Sequence, residues 1–256
     1  MSNPHGKFVW YELMTSDTDA AEAFYKSVNG WTAQDSGMPG QYTILSADGV
    51  GIGGLMAVPE EARHKGARPA WLGYVHVEDV DAGAEDVKDA GGTVHRAPAD
   101  IPSVGRFSVV ADPQGAVFML FKNAGGPDRP KVAAGTPGHV GWHELHATDY
   151  ESVFEFYADL FDWTKGETHE MGPMGVYQLF STGDVPDGGM MTGTAGAPGP
   201  FWLYYFNVDA IDAAVDRVKG AGGVVMQGPH QVPGGSWIAQ CTDPQGAMFA
   251  LVGPRV

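Results

Sequence analysis

Short segments in which apolar and polar residues alternate recur along the chain, and a few longer segments place apolar residues three or four positions apart. The first pattern predicts half-buried β-strands and the second predicts amphipathic helices. Helices are predicted after Asp17 and Asp79, which are suitable N-cap residues, and near Tyr150 and Ile211. In the first half, strands are predicted near Trp31 to Gln34, Gln41 to Ala47, Gly51 to Val58, Thr93 to Arg96, Arg106 to Ala111 and Ala116 to Lys122. Each half of the chain is therefore predicted to contain two copies of one unit, which consists of a strand, a helix and three further strands.

The sequence contains two related copies of one segment. Trp10–Leu13 (WYEL) recurs as Trp142–Leu145 (WHEL), and the DPQGA sequence that begins at Asp112 recurs at Asp243. The repeat is far longer than the roughly 20 to 50 residues of solenoid proteins, so it indicates duplication of a whole domain. We predict one domain over residues 1–123, a Gly/Pro-rich linker over 124–138 and a second domain over 139–256.

The composition is that of a globular protein. Hydrophobic residues make up 43% of the chain and charged residues 18%, and no apolar segment approaches the roughly 20 residues of a membrane span. The amino-terminal residues lack the apolar core of a secretory signal, which predicts a cytoplasmic protein. The single cysteine, Cys241, excludes an intramolecular disulfide and is expected to be a small buried residue on a strand.

The formal net charge of -16 limits the classes of partner. A chain this acidic repels the phosphates of nucleic acids and anionic membrane surfaces. We therefore expect a small-molecule ligand, no nucleic acid or membrane partner, and either a monomer or a homodimer.

This pattern resembles the vicinal oxygen chelate superfamily, which includes glyoxalase I, fosfomycin and bleomycin resistance proteins and extradiol dioxygenases. The resemblance is carried by the opening strands Phe8–Asp17 and Val140–Asp149, the Phe-Tyr pairs that follow them, the helix entry Val77–Asp81 and the two Asp-Pro-Gln-Gly turns. It implies an α+β fold in which four βαβββ units form two glyoxalase-like domains. The mixed sheets of such domains curl into open cups that bind the ligand on the concave face.

Many enzymes of this superfamily hold a divalent metal with side chains from the opening strands and from the last strand of each pair. Carried onto this sequence, those positions are Trp10, Leu72, Met119, Trp142, Leu203 and Ala250. Indole, isobutyl, methyl and thioether groups do not coordinate Mg, Mn, Fe(II), Ni or Zn ions. We therefore predict neither the usual metal site nor another cofactor.

Strand alternation identifies the residues that replace the metal, because residues two apart share a face of the sheet. The candidate catalytic residues are Glu12, Glu144, Tyr74 and Tyr205. The candidate ligand-binding residues are Trp10, Trp142, His76, His146, Met56, Met191 and Asn207. Together they predict an aromatic wall with a carboxylate and a phenol, which suits a flat, partly apolar molecule that offers a hydrogen-bond donor or a cation.

Alternatives remain for several of these residues. Glu12 and Glu144 lie mid-strand among apolar neighbours, where a general base could form, but either could instead hydrogen-bond a tyrosine or pair with an arginine. The tryptophans and methionines could equally belong to the core. A displaced metal site built on Glu12 with His76, or on Glu144 with His146, would supply only two ligands. The glycine-rich segment 49–54 is interpreted as a bend between strands.

Two functional hypotheses of different classes follow. The first is a metal-independent protein of the bleomycin-resistance type that sequesters or carries an aromatic or polycyclic metabolite. The second is a metal-independent acid-base enzyme, an isomerase, lyase or cyclase, in which Glu12 or Glu144 abstracts a proton and Tyr74 or Tyr205 stabilises the oxyanion. A third alternative retains an unorthodox metal and a glyoxalase-like or dioxygenase-like activity. Two matched positions carry different residues in the two halves: Met14 corresponds to His146, and His76 corresponds to Asn207. This difference predicts two non-equivalent clefts.

Overall fold

The computed structural model describes residues 5–38, 40–125, 130, 132–193 and 199–256. Residues 126–129 and 131 of the predicted linker lie outside the described residues. The first half contains the elements β1 (Phe8–Thr15), α1 (Thr18–Asn29), β2 (Thr32–Asp35), β3 (Thr43–Ala47), β4 (Val50–Ala57), α2 (Glu60–His64), β5 (Ala70–His76), α3 (Val80–Asp89), β6 (Thr93–Ile101), β7 (Gly105–Ala111) and β8 (Val117–Asn123).

The second half repeats this order with one difference in its short helical segments. Its elements are β9 (Val140–Ala147), α4 (Tyr150–Phe161), β10 (Thr164–Glu170), a 3-10 turn (Gly172–Met174), β11 (Val176–Ser181), β12 (Gly188–Thr192), β13 (Phe201–Asn207), α5 (Ile211–Gly220), β14 (Val224–Gln231), β15 (Trp237–Thr242) and β16 (Met248–Gly253). None of the helices in the described part of the chain has the length and apolar composition that a membrane crossing requires.

The helices begin where the sequence predicts them. The side chain of Asp17 accepts a hydrogen bond from the backbone N–H of Ala20, and Asp79 and Asp149 cap α3 and α4 in the same way. Each cap satisfies a backbone donor that the first turn of a helix leaves without a partner. The short helix α2 and the 3-10 turn are not predicted by the sequence pattern.

Each half of the sequence forms one eight-stranded mixed sheet. The strand order is β2-β3-β4-β1-β5-β8-β7-β6 in the first sheet and β10-β11-β12-β9-β13-β16-β15-β14 in the second. In both sheets the opening strand of a βαβββ unit pairs in parallel with the last strand of the same unit, as in β1 with β4 and β9 with β12. This is the fourfold βαβββ architecture that the resemblance implies.

The chain also divides into two compact units that each combine segments from both halves of the sequence. One unit comprises the described residues within Met1–Trp10, Leu72–Arg129 and Trp142–Trp202, and the other comprises those within Tyr11–Trp71, Pro130–Gly141 and Leu203–Val256. We call them the first and the second compact unit.

Each compact unit has an aromatic core of the same design. In the first unit, the ring of Tyr157 stacks on Trp163 at 4.9 Å between centroids, and its hydroxyl accepts a hydrogen bond from Nε1 of Trp202 at 3.1 Å. In the second unit, the ring of Tyr25 stacks on Trp31 at 5.7 Å, and its hydroxyl accepts from Nε1 of Trp71 at 2.8 Å. These tyrosines are fully buried, so the indole N–H groups satisfy polar atoms that would otherwise lose hydrogen bonds to water.

The interpretation of segment 49–54 as a bend was wrong. Gly53 and Gly54 lie inside strand β4, and only Gly49, with a φ of 78°, lies in the turn before it. The glycines are required by packing, because a Cβ at Gly54 would overlap the ring of Tyr42 and a Cβ at Gly53 would overlap the backbone carbonyl of Tyr11.

Candidate functional site

The second half brings several predicted residues together on one face of β9. Nε1 of Trp142 donates to the hydroxyl of Tyr177 at 2.8 Å, and that hydroxyl donates to Oε2 of Glu144 at 2.9 Å. The other oxygen of the carboxylate, Oε1, lies 2.7 Å from Nε2 of His146. Trp142, Glu144 and His146 therefore share a face, as strand alternation predicts. We call these four residues the Glu144 network.

The network lies partly at the surface of the first compact unit, to which all its members belong. The side chain of Glu144 is 7% exposed and that of His146 is 16% exposed, while Trp142 and Tyr177 are half-buried. The carboxylate is thus enclosed by hydrogen-bond donors, and the imidazole and the aromatic rings are the parts that solvent reaches.

A stacked aromatic ring borders the exposed end of the network. The ring of Phe201, at the start of β13, lies parallel to the imidazole of His146, with 4.5 Å between centroids and 6° between planes. Met191 pairs with His146 in the register of β12 with β9 and is almost completely buried. The stacking on Phe201 therefore restricts the plane of the imidazole ring, and Met191 packs beside the imidazole.

A glycine makes room for the tyrosine of the network. Gly189 pairs with Glu144 in the register of β12 with β9, and a Cβ at Gly189 would overlap the ring of Tyr177. The tyrosine ring consequently crosses the neighbouring strand over the glycine, which allows its hydroxyl to reach the carboxylate of Glu144. Gly189 thus provides the space that the ring of Tyr177 occupies in the network.

The first half contains a partial copy of this arrangement. Gly54 pairs with Glu12 in the register of β4 with β1, and the ring of Tyr42 occupies the space beside Gly54 that the ring of Tyr177 occupies beside Gly189. Glu12 is buried, with 4% of the residue exposed.

The stacked rings of His146 and Phe201 in the second half have no equivalent in the first half. The positions of His146 and Phe201 are taken by Met14 and Ala70, and Met14 is half-buried and pairs with Met56. Both members of the pair are exchanged together, which supports the prediction of two non-equivalent clefts.

The other predicted site residues have structural partners. The hydroxyl of Tyr205 accepts a hydrogen bond from Nε2 of Gln240 at 2.9 Å. Nδ2 of Asn207 donates to the carbonyl of His139 at 3.1 Å, and Asn207 also borders a cavity of about 320 Å³ next to the loop Gly234–Ser236.

Tyr74 and His76 are almost completely buried on β5. The backbone N–H of His76 donates to the carbonyl of Lys7 at 2.8 Å, as that of Asn207 donates to His139 in the second half. His76 and Asn207 therefore each anchor the segment that leads into the opening strand of their half.

His143 packs on the face of β9 opposite the network. Its ring stacks on Phe8 at 4.2 Å, and its Nδ1 atom lies 2.8 Å from the carbonyl oxygen of Asp187. Burial lowers the pKa of His143 below its ordinary value, although the neighbouring Asp187 opposes this effect. His143 is therefore a packing residue.

The residues at the superfamily's usual metal-ligand positions do not fit a metal ion. Leu203, Met119 and Ala250 are fully buried apolar residues, and the indole of Trp142 directs its N–H to Tyr177. In the described part of the chain, no group of three or more His, Cys, Asp or Glu side chains is arranged to hold a metal. Glu144 and His146 bond each other and would supply two ligands at most.

Comparison with known proteins agrees with this fold. The sequence model of the Glyoxalase/Bleomycin resistance protein/Dioxygenase superfamily matches residues 7–120 and 136–251. The chain therefore belongs to this superfamily, and each of its halves matches the family model.

Several relatives match over almost their full length. The chain is 33% identical over 267 residues to "Anthracycline biosynthesis protein DnrV" of Streptomyces peucetius, with 96% of this chain and 93% of that protein covered. It is 31% identical over 248 residues to "Putative glyoxylase CFP32" of Mycobacterium tuberculosis (strain CDC 1551 / Oshkosh), with 96% of this chain and 94% of that protein covered.

Solved structures share the fold at low sequence identity. The Mn(II)-bound glyoxalase from Novosphingobium aromaticivorans superimposes with a TM-score of 0.65 and 17% identity over 98% of this chain and 82% of that chain. At this identity the likeness concerns the fold and not the chemistry of the site.

Two members of the site, Tyr177 and Phe201, are not predicted by the sequence pattern. The signal for the tyrosine was present, because Tyr42 and Tyr177 follow turns in both halves and each is followed by a glycine-containing strand. Phe201 gave no such signal, because Ala70 stands at the matching position. Its role depends on the stacking with His146, which is a tertiary contact.

Proposed function

We propose that this protein binds a small planar aromatic or polycyclic metabolite, without a metal, at the surface formed by the Glu144 network and Phe201. The observation that carries the proposal is the network itself, in which half-exposed aromatic rings surround an enclosed carboxylate. The function is sequestration, resistance or transport of the bound molecule.

Exposure separates the aromatic residues of this surface from those of the core. The core tryptophans Trp163 and Trp202 are at most 5% exposed, whereas Trp142 and Phe201 are half-buried. Exposing large aromatic rings to water is unfavourable, so a group of them with polar edges is typical of a ligand-binding surface. The relatives named for anthracycline biosynthesis support a polycyclic ligand, because anthracyclines are polycyclic aromatic compounds.

Binding accounts for the geometry of Glu144 better than catalysis by this residue does. Each of its two oxygens already receives a hydrogen bond, one from Tyr177 and one from His146. A general base must reach a proton of the substrate, and the carboxylate of Glu144 is enclosed, with only 7% of its side chain exposed.

The proposal is tested by isothermal titration calorimetry with 2-hydroxyanthraquinone as the probe, in EDTA so that binding cannot depend on a metal. We expect saturable binding by the wild type and about tenfold weaker binding by Phe201→Ala, which introduces the residue found in the first half. His64→Gln is the control, because His64 is an exposed residue of α2 that also lies near a glutamate, Glu60.

Mass spectrometry of the recovered probe separates binding from turnover. Unaltered probe is the expected result. Absence of saturable binding would overturn the proposal for this class of ligand, and equal affinities for the wild type and Phe201→Ala would show that this surface is not the binding site.

The bond between Glu144 and His146 favours acid-base catalysis as a second candidate function. A carboxylate that orients an imidazole at 2.7 Å is the arrangement that prepares histidine for proton transfer, as in an isomerase, lyase or cyclase. In this case the wild type would exchange a carbon-bound hydrogen of the ligand for deuterium in D₂O, and His146→Met would abolish the exchange. Lack of exchange with a bound ligand would eliminate this alternative for that ligand.

A further inference from the structure

The geometry points to His146 as a hydrogen-bond acceptor for the ligand, which narrows the ligand class to planar aromatic molecules with a hydroxyl or N–H group at the edge. This inference rests on the proposed binding function and adds the chemistry by which the surface selects its ligand. It depends on the direction of each hydrogen bond in the Glu144 network.

The direction is fixed at the Trp142 end. An indole N–H can only donate, so the hydroxyl oxygen of Tyr177 accepts its hydrogen bond at 2.8 Å. The tyrosine's own proton is then directed to Oε2 of Glu144 at 2.9 Å. The carboxylate accepts this bond and has Oε1 left for the donor on its other side.

That donor is His146. A carboxylate oxygen accepts but does not donate, so the 2.7 Å contact between Oε1 of Glu144 and Nε2 of His146 places the imidazole proton on Nε2. In neutral His146 the lone pair is therefore on Nδ1. Among the described residues Nδ1 has no hydrogen-bond partner.

The position of His146 makes Nδ1 the polar atom available to a ligand. The imidazole is the more exposed member of its pair with Glu144, at 16% against 7%, and the parallel ring of Phe201 holds its plane. A planar ligand that packs on the aromatic rings of this surface can direct a hydroxyl or N–H group to Nδ1. Glu144 is then a positioning residue, because it acts on the ligand through the tautomer of His146.

The first half supplies a natural comparison. Met14 stands where His146 stands in the second half, and a thioether is a weak acceptor compared with an imidazole nitrogen. His146→Met thus introduces a residue that the same strand position already accommodates in this chain.

The test compares two probes that differ in one donor, 2-hydroxyanthraquinone and 2-methoxyanthraquinone, in EDTA and at a pH where the hydroxyl probe is neutral. We expect the wild type to bind the hydroxyl probe about three to ten times more tightly than the methoxy probe. In His146→Met the ratio of the two affinities falls to about one, while the methoxy probe still binds. His64→Gln keeps the wild-type ratio.

Glu144→Gln tests the positioning role. Its amide offers one acceptor oxygen in place of two, and its NH₂ group can donate to Nε2 of His146 and move the imidazole proton to Nδ1. The ratio of the hydroxyl-probe affinity to the methoxy-probe affinity is expected to fall, although the methoxy probe still binds. A purely structural role would lower both affinities equally and leave the ratio unchanged.

The outcomes separate this inference from the proposed function. If both probes bind the wild type with equal affinity, or if His146→Met keeps the ratio, the acceptor role of His146 is wrong and the binding function stands. If neither probe binds, the binding function fails for this class of ligand, and the inference fails with it.

Discussion

The hydroxyl of Tyr157 donates a 3.0 Å hydrogen bond to Oδ2 of Asp112, and the two residues come from different halves of the sequence. Tyr25 and Asp243 form the same bond at 3.1 Å in the second compact unit, with the halves exchanged. In each pair the aspartate belongs to an Asp-Pro-Gln-Gly turn, and its Oδ1 accepts backbone N–H groups of that turn. The repeated turn motif therefore joins segments that are distant in sequence.

Removing this hydroxyl is expected to destabilise the fold. Burial raises the pKa of Asp112 above its ordinary value, and the bond from Tyr157 opposes this shift. Tyr157→Phe leaves a buried carboxyl with one donor fewer, so we expect the free energy of unfolding to fall by about 1 to 3 kcal/mol. Urea unfolding followed by circular dichroism measures this loss, and Tyr25→Phe should give a similar one.

Tyr150→Phe is the matched control for these variants. The hydroxyl of Tyr150 bonds Glu151 at an exposed site, where water replaces a lost partner, so its removal should change the free energy of unfolding by less than about 0.5 kcal/mol. Equal losses for all three variants would contradict the role assigned to the buried pairs.

The stability of the fold is expected to decrease in mild acid because of His143. Burial lowers the pKa of this residue in the folded state, so the unfolded chain binds the proton more readily. The contribution of His143 to stability is complete above its unfolded pKa of about 6.5 and is lost as the pH falls through the folded pKa.

The difference in the free energy of unfolding between the wild type and His143→Gln should therefore shrink as the pH falls below about 6.5. Urea titrations at several pH values measure it. The variant keeps part of the wild-type dependence, because burial also lowers the pKa of His139. Parallel profiles for the two proteins would be inconsistent with this account.

A methyl group at Gly189 is expected to disrupt the Glu144 network. The Cβ of Gly189→Ala would overlap the ring of Tyr177, so the ring must move away from Glu144. We expect a loss of about 1 to 3 kcal/mol in the free energy of unfolding and weaker binding of the hydroxyanthraquinone probe in calorimetry.

Gly220→Ala provides the comparison for Gly189→Ala. No atom lies within 4 Å of a Cβ at this position at the end of α5, so alanine should fit without strain and keep or increase stability. Wild-type probe affinity in Gly189→Ala would show that Tyr177 does not shape the binding surface.

The single thiol is expected to be unreactive in the folded protein. Cys241 is fully buried on β15, and burial raises the pKa of its thiol to about 12. Because the thiolate is the reactive form, Ellman's reagent should modify the native protein very slowly at neutral pH and react with one equivalent after unfolding in urea. Rapid modification of the native protein would contradict this burial.

The sequence by itself determined the fold. The duplicated motifs, the caps at Asp17, Asp79 and Asp149 and the spacing of apolar residues depend on local geometry, which the sequence pattern carries directly. The same local rule placed Trp142, Glu144 and His146 on one face of β9 and His143 on the other. It also identified side chains unsuited to a metal at the superfamily's ligand positions.

Only the tertiary structure decided how these parts are joined. Tyr177 reaches Glu144 across a neighbouring strand over Gly189, and Phe201 stacks on His146 from β13, so both contacts depend on strand order and not on spacing along the chain. The pairing of Tyr157 with Asp112 likewise joins the two halves of the sequence. Alternation along a single strand specifies which residues share a face, but the direction of a hydrogen bond and the partner of a ring are set by elements distant in sequence.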